Sequence, residues 1–331
     1  MGTTMGKTLA AVLAAFACLG ASGQPSNAAL VRLPALLPKY AHVVIVIEEN
    51  KYYSDIVGNK NAPYINDVLL KQGANLTRMF ADEHDSEGNY FWIFSGSNQH
   101  VGYHDVIPTR RNNPRYPFMA PNLGEELIHA GYTFKGYAQG LPSIGDRAGK
   151  APLYARKHVP WISFANIPNG KTAATSVNLP FTQFPKDFSR LPTVSIVVPN
   201  LLDDMHSGDP SMRVRRGDEW LRKNIGPYYR WAKTHDSLLI VTWDENGDWS
   251  GFQGLTNPAS ANRDVKNRIP TIIAGAHIRP GNYAEGKGVT HVNLLRTVEA
   301  LYGLPKAGYQ QKHALKYGIR NGTILSDIFV Q

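Results

Sequence analysis

Apolar residues along this chain come in short runs, and each run stops abruptly at polar side chains. Residues 42–47 (HVVIVI) are followed at once by Glu48-Glu49-Asn50. Residues 194–198 (VSIVV) give way to Pro199-Asn200 and then Asp203-Asp204-Met205-His206, and 237–243 (SLLIVTW) to Asp244-Glu245-Asn246. A fourth run lies at 269–274 (IPTIIA). Short β-branched runs without alternation predict strands buried on both faces. Helical spacing with capping or stop signals marks 62–73, 124–130, 218–233 and 291–302, and Gly131 turns the second of these into a further strand over 132–137. Strands alternating with helices predict an α/β class with a largely parallel sheet. Ligands of such sheets gather at the carboxyl ends of the strands. The stretches around 102–122, 140–190 and 246–268 are long, polar and rich in Pro and Gly, as loops that shape a pocket are.

Composition narrows the classes. The chain has 331 residues, 43% hydrophobic and 10% aromatic, which supplies a large core and excludes disorder. The only uninterrupted apolar stretch is 9–19 (LAAVLAAFACL), behind Lys7 and ahead of small residues, so a polytopic membrane protein is excluded. Residues 1–28 are expected to be an export signal cleaved after Ala28, with delivery to the periplasm or outside the cell and no stable membrane span in the mature protein. Residues 29–331 are expected to form a single catalytic domain, since no linker or repeat divides them. Cys18 is the only cysteine and leaves with the signal, so disulfides, thiolate metal sites and a cysteine nucleophile are excluded from the mature chain. Lipid attachment at Cys18 is a minor alternative, because Phe16 is bulky where a small residue is usual. The net charge of +9 biases the surface toward anions, yet no nucleic-acid motif accompanies it, and no nucleic-acid partner is expected.

Three apolar runs end in oxygen or imidazole donors: Glu49-Asn50, Asp204 with His206, and Asp244-Glu245. His291 follows, opening a helix. Each cluster alone is explained as well by turn formation or helix capping. Three on one sheet edge point to a hard or borderline divalent ion such as Zn, Mn, Mg or Ca. Residues 84–90 (HDSEGNY) place Ser86 three residues before Asn89, in a turn ahead of apolar residues 90–94. A helix starting there would aim backbone N–H groups at an anion. From spacing alone, Ser86 as a plain helix cap is the simpler reading.

The ordered set of segments changes that balance. VIVIEEN at 44–50, HDSEGNY at 84–90, FSGSNQHVGYHD at 94–105, YARKHVPWISF at 154–164, VVPNLLDDMHSGD at 197–209, SLLIVTWDENG at 237–247, NRIPTIIAG at 267–275 and HVNLLRTVEALYGLP at 291–305 together resemble the bacterial and fungal phosphoesterases of the acid phosphatase and phosphatidylcholine-type phospholipase C group, within the alkaline phosphatase-like superfamily. The resemblance spans about 40–305. It implies an alkaline phosphatase-like three-layer α/β sandwich around a mostly parallel sheet. It also implies one or two divalent metal ions. Glu49, Asn50, Asp244 and Glu245 resemble the ligands of a first ion, and Asp204, His206 and His291 those of a second. Ser86 falls on the nucleophile position and Asn89 on a residue that holds a phosphoryl oxygen. His84 and His100 fall near the leaving group or behind the site, and Lys157-His158 beside it. Two prolines common in the family motif around Ser86 are replaced here by Asp85 and Gly88, and a Tyr-Ser pair after the histidine by Val292-Asn293.

The expected activity is therefore that of an exported metal-dependent phosphoric ester hydrolase. Its expected substrate is a small phosphomonoester, turned over through a phospho-serine as in the acid phosphatases. Lys157, His158 and Arg110-Arg111 are possible cationic partners for the extra charge of a monoester. The alternatives are a phospholipase C-type phosphodiesterase, which would take a phospholipid head group against an apron of Trp92, Trp161, Phe164 and Trp249, and a non-catalytic periplasmic protein that binds phosphate ligands. A sulfate-ester hydrolase is disfavoured by the lack of a Cys/Ser-x-Pro-x-Arg segment.

Overall fold

A computed structural model describes residues 1–2, 37–102, 105–247 and 267–330. The expected export signal, Cys18 and Trp249 lie outside the described residues. The unit from Leu36 to Gln331 holds all the secondary structure described.

Its centre is a sheet of eight strands: β1 (His42–Glu48), β2 (Ala74–Leu76), β3 (Phe134–Ala138), β4 (Asn178–Pro180), β5 (Val194–Val198), β6 (Ser237–Trp243), β7 (Thr271–Gly275) and β8 (Gly281–Tyr283). Their spatial order is β8-β2-β7-β6-β1-β5-β3-β4. The five strands from β6 to β4 run parallel, with Val43 paired to Val194 on one side and to Leu238 on the other. β7 runs antiparallel to both β6 and β2. The central strands β1, β5 and β6 are buried along nearly their whole length, which is why their sequences read as unbroken apolar runs.

Helices α1 (Ser86–Ser95), α2 (Leu123–His129), α3 (Arg213–Trp220), α4 (Gly226–Ala232) and α5 (His291–Tyr302) flank the sheet. Residues 218–233, expected as one helix, are the end of α3, a π-helical turn at Leu221–Ile225 and α4, so Pro227 enters a helix start rather than an interior. The short strands β2, β4 and β8, two of them at the sheet edges, carry too few apolar residues to be read from pattern. Gly136 in β3 has a clear packing reason: a Cβ there would stand 2.1 Å from the Trp161 ring, whose Nε1 donates to Asn178 Oδ1 at 2.9 Å. Trp161 and Phe164 are thus core, and Trp92 is 2% exposed, so three of the four residues expected as an acyl-chain apron line no open surface. No described helix is long and apolar enough to cross a membrane.

Candidate active site

Three neighbouring parallel strands deliver the acidic residues to one edge. At the end of β1 the chain turns through Asn50, whose φ of 38° suits asparagine. The turn is stitched to both neighbours: Glu49 N donates to Asp204 O beyond β5 at 2.8 Å, and Asn50 N donates to Asp244 Oδ1 beyond β6 at 3.0 Å. Asn50 Nδ2 reaches Glu245 Oε1 at 2.8 Å. Glu49, Asn50, Asp244 and Glu245 therefore meet at one edge of the sheet.

Ser86 stands among them. It is the first residue of α1, and its Oγ lies 3.1 Å from Glu245 Oε1 and 3.3 Å from Glu49 Oε2. His84 Nδ1 contacts Glu245 Oε2 closely. Glu49 is further held by the Tyr90 hydroxyl, which donates to Oε1 at 2.6 Å, and faces His158 Nε2 at 3.2 Å. His158 in turn stacks on the Tyr90 ring. All of these residues are buried.

The electrostatics of this group are one-sided. Burial, then the charge of Asp244, pushes the Glu49 and Glu245 carboxyls well above the usual carboxylate range. Burial raises Asp244 and Asp204 as well, against the backbone donors they accept from. Burial opposes the charge of Lys157, but Glu49 and Asp105 outweigh it and keep the ammonium more firmly protonated than usual. Lys157 Nζ is bonded to Asp105 Oδ2 at 2.5 Å. His158 is driven well below its ordinary pKa by burial, and His206 down to about 4 by burial and then by Lys157, Lys51 and Arg213. Both imidazoles are neutral at pH 7.

Among the described residues no three His, Asp or Glu side chains close on a common ion-sized point. Asn50 and Ser86 lie between the carboxylates and bond to them instead. The donor set nonetheless fits a hard cation. One hydroxyl proton on Ser86 can serve only one of the two carboxylate oxygens within 3.3 Å. Asp244 Oδ2, Asp204 Oδ2 and Asn50 Oδ1 are buried without a hydrogen-bond partner. Two buried carboxyl oxygens and an amide oxygen without donors call for protons or a positive charge among them.

The second expected ligand trio is not assembled. Asp204 Oδ1 accepts from His206 N at 2.8 Å, and His206 Nδ1 pairs with Ser207 Oγ at 2.9 Å. His291 belongs to a different neighbourhood: its Nε2 meets Trp243 O at 2.9 Å and its Nδ1 faces Asp82 Oδ2 at 3.5 Å. Since a carbonyl only accepts, Nε2 carries the proton, and α5 is thereby docked on the end of β6.

Two other expectations need correction. Asn89 does not point its amide at an incoming phosphoryl group. Its Oδ1 accepts from Asp82 N and Glu83 N at 3.0 and 3.1 Å, and its Nδ2 donates to Glu83 O at 2.5 Å and Asp85 O at 3.4 Å, so it staples the turn before α1. His100 is exposed, near Arg115, and no described bond joins it to Ser86. The side chains of Tyr90, Asp82, Glu83 and Asn267 were not anticipated. Asn267 links the turn to the β6 loop, through Nδ2 to Glu83 O at 2.9 Å and Oδ1 from Asn246 N at 3.1 Å. Its place in the NRIPT segment was the one available signal.

Comparison with known proteins identifies the family and the fold. The model of the Phosphoesterase family matches residues 62–305. A phosphatidylinositol-3-phosphatase of Mycobacterium tuberculosis is 44% identical over 82% of this chain and 80% of its own length. An acid phosphatase of Aspergillus fumigatus is 25% identical over 78% of this chain, which spans only 54% of that protein. Among solved structures, an alkaline phosphatase superfamily protein from Vibrio parahaemolyticus superposes with a TM-score of 0.54 at 15% identity, over 81% of this chain and 68% of the other. The lipoteichoic acid synthase LtaP from Listeria monocytogenes gives 0.51 at 12%, over 81% and 73%. These two likenesses speak to the fold. On the family match and the mycobacterial identity, the chain belongs to the Phosphoesterase family: it is a phosphoric ester hydrolase built on the alkaline phosphatase superfamily fold.

Proposed function

We propose that this protein is an exported phosphomonoesterase that uses Ser86 as its nucleophile. The observation that carries the reading is the position of the Ser86 hydroxyl: at the first residue of α1, within hydrogen-bond reach of Glu49 and Glu245. Burial, then the charge of Asp244, raises the pKa of both carboxylates, so positive charge beside them is favoured. In the first step Ser86 Oγ gives up its proton and bonds to phosphorus, and the bond from phosphorus to the leaving oxygen breaks as that oxygen takes up the proton that Oγ released. In the second step water bonds to phosphorus, the Ser86 ester bond breaks, and a proton of that water passes to Oγ as phosphate departs. The positive end of α1 favours charge on the transferred group's equatorial oxygens, although Glu87 N of its first turn donates to Asp105 Oδ1 at 3.0 Å.

A divalent cation held by Glu49, Asn50, Asp244 and Glu245 would polarise the phosphoryl group and ease ionisation of the serine hydroxyl. Asp204, next to the end of β1, adds negative charge to that place. Lys157 is the cation for the second charge of a monoester; it lies in the field of Glu49 and Asp244, whereas Arg110 and Arg111 are exposed in a turn. The names of the mycobacterial and fungal relatives support monoester over diester turnover, and a phosphorylated inositol lipid falls within the class. Residues 1–28 act as the export signal, and 29–331 form one catalytic domain. N-terminal sequencing of the exported protein should begin at Ala29.

The test compares p-nitrophenyl phosphate with its phosphocholine ester. Monoester turnover is expected, with the Ser86→Ala protein folded and inactive by about four orders of magnitude or more. Wild-type rates in Ser86→Ala would remove the nucleophile assignment, and turnover of the diester alone would favour the phospholipase alternative.

A further inference from the structure

Glu83 precedes the Ser86 turn and takes no part in the chemistry above, yet its whole residue is built into the start of α1. It is 1% exposed. Its backbone N and O are both held by the Asn89 amide, and its O also accepts from Asn267. Its side chain lies against Gly88, between Ser86 and Asn89 in the first turn. A Cβ on Gly88 would stand 1.8 Å from Glu83 Oε1 and 2.8 Å from its Cδ. The carboxyl cannot simply swing aside, because Asn98 Nδ2 donates to both of its oxygens at 3.0 Å, while Asn98 Oδ1 accepts from His100 N at 3.1 Å.

We propose that Glu83 is a positioning residue for the reaction: its carboxyl, seated on Gly88 and clamped by Asn98, fixes the first turn of α1 and with it the Ser86 hydroxyl. The inference rests on the reading of Ser86 as the reacting group. The physical reason is spatial. Glycine lets the carboxyl enter the helix surface, and the occupied space then prevents the turn from rotating toward Glu83. A misplacement on the order of 1 Å at a reacting atom costs roughly a hundredfold in rate. Position 88 and position 83 are therefore one device, and either half without the other is defective: a Cβ at 88 expels the carboxyl or pushes the turn, and loss of the carboxyl leaves the turn unsupported.

The experiment measures kcat, KM and Tm on the full chain with p-nitrophenyl phosphate. Glu83→Ala and Gly88→Ala should each lower kcat by roughly tenfold to a hundredfold, with KM within about twofold of wild type. Glu83→Gln keeps the shape and an acceptor for Asn98, and should retain kcat within about threefold. The double variant Gly88→Ala/Glu83→Ala should be no slower than Glu83→Ala, because the new methyl enters vacated space. Should Glu83→Ala not fold, Glu83→Asp, which withdraws the carboxyl by one methylene, makes the same comparison. A double variant slowed by the product of the single losses, Glu83→Gln as slow as Glu83→Ala, or a loss carried by KM overturns the proposal. An active Ser86→Ala marks failure of the nucleophile reading instead. Failure of this inference shows as additive losses with Ser86→Ala inactive.

Discussion

At the scale of single residues, the site is an arrangement of like charges that folding alone does not favour. Asp244 accepts from Asn50 N through one oxygen and has no partner on the other, with Glu49 and Glu245 close by. Asp244→Asn keeps the accepting oxygen and removes one negative charge. The expected outcome is a variant with phosphatase activity abolished and, in metal-free buffer, a Tm above that of the wild type by a few degrees; a calorimetric scan beside the assay checks both. A falling Tm would mean that the crowding is already relieved by other groups. Motifs made Glu49, Asn50, Asp244, Glu245 and Ser86 legible, because strand ends and a helix start are local features. The role of Asn89 was not legible, because an amide serves a phosphoryl oxygen or a backbone turn equally well. Only the positions of Asp82, Glu83 and Asp85 around it decide which.

At the scale of elements, the central strands could be read because burial on both faces demands unbroken apolar sequence. β7 also read as a strand, but its antiparallel direction did not, since direction depends on the connection across the sheet and not on composition. Packing between helices offers a pH prediction. Glu126 on α2 is 6% exposed, and burial, then Glu299 and Glu125, raise its pKa from 4.5 to about 8 against the pull of Arg296 on α5. A carboxyl with a raised folded-state pKa binds its proton more tightly in the native protein. Its stabilising effect is complete below about 4.5 and fades as pH rises toward about 8. Glu126→Gln should therefore match the wild type in Tm at pH 4 and exceed it at pH 9, with a flatter Tm–pH curve between. Equal curves would show that Arg296 compensates the charge fully.

For the whole molecule, the acidic edge and the basic surface work in opposite senses. The chain carries a net charge of +9, while the residues around Ser86 gather carboxylates. An anionic substrate is drawn to the surface and meets repulsion at the reaction centre until positive charge is present there. Chelation should abolish turnover, and adding back a divalent ion should restore it. Tm should rise with ion concentration in the same titration, because an ion that binds only the folded state stabilises it. Activity and Tm unaffected by chelation would remove the metal from the reading. KM for a monoester should also increase with ionic strength as the surface attraction is screened.

The sequence by itself determined the class of fold, the central strands and helix α5, and the residues at their ends, because each of these follows from burial and capping within a few neighbouring positions. It also carried the family, through eight ordered segments. Tertiary structure alone decided which of those ends meet. It brought β1, β5 and β6 side by side so that Glu49 and Asn50 join Asp244 and Glu245, and it set His291 against Trp243 and Asp82 rather than with Asp204 and His206. The reason is that strand order and the path of long loops bring together residues 194 and 195 positions apart, and no local preference records which of many equally polar strand ends become neighbours.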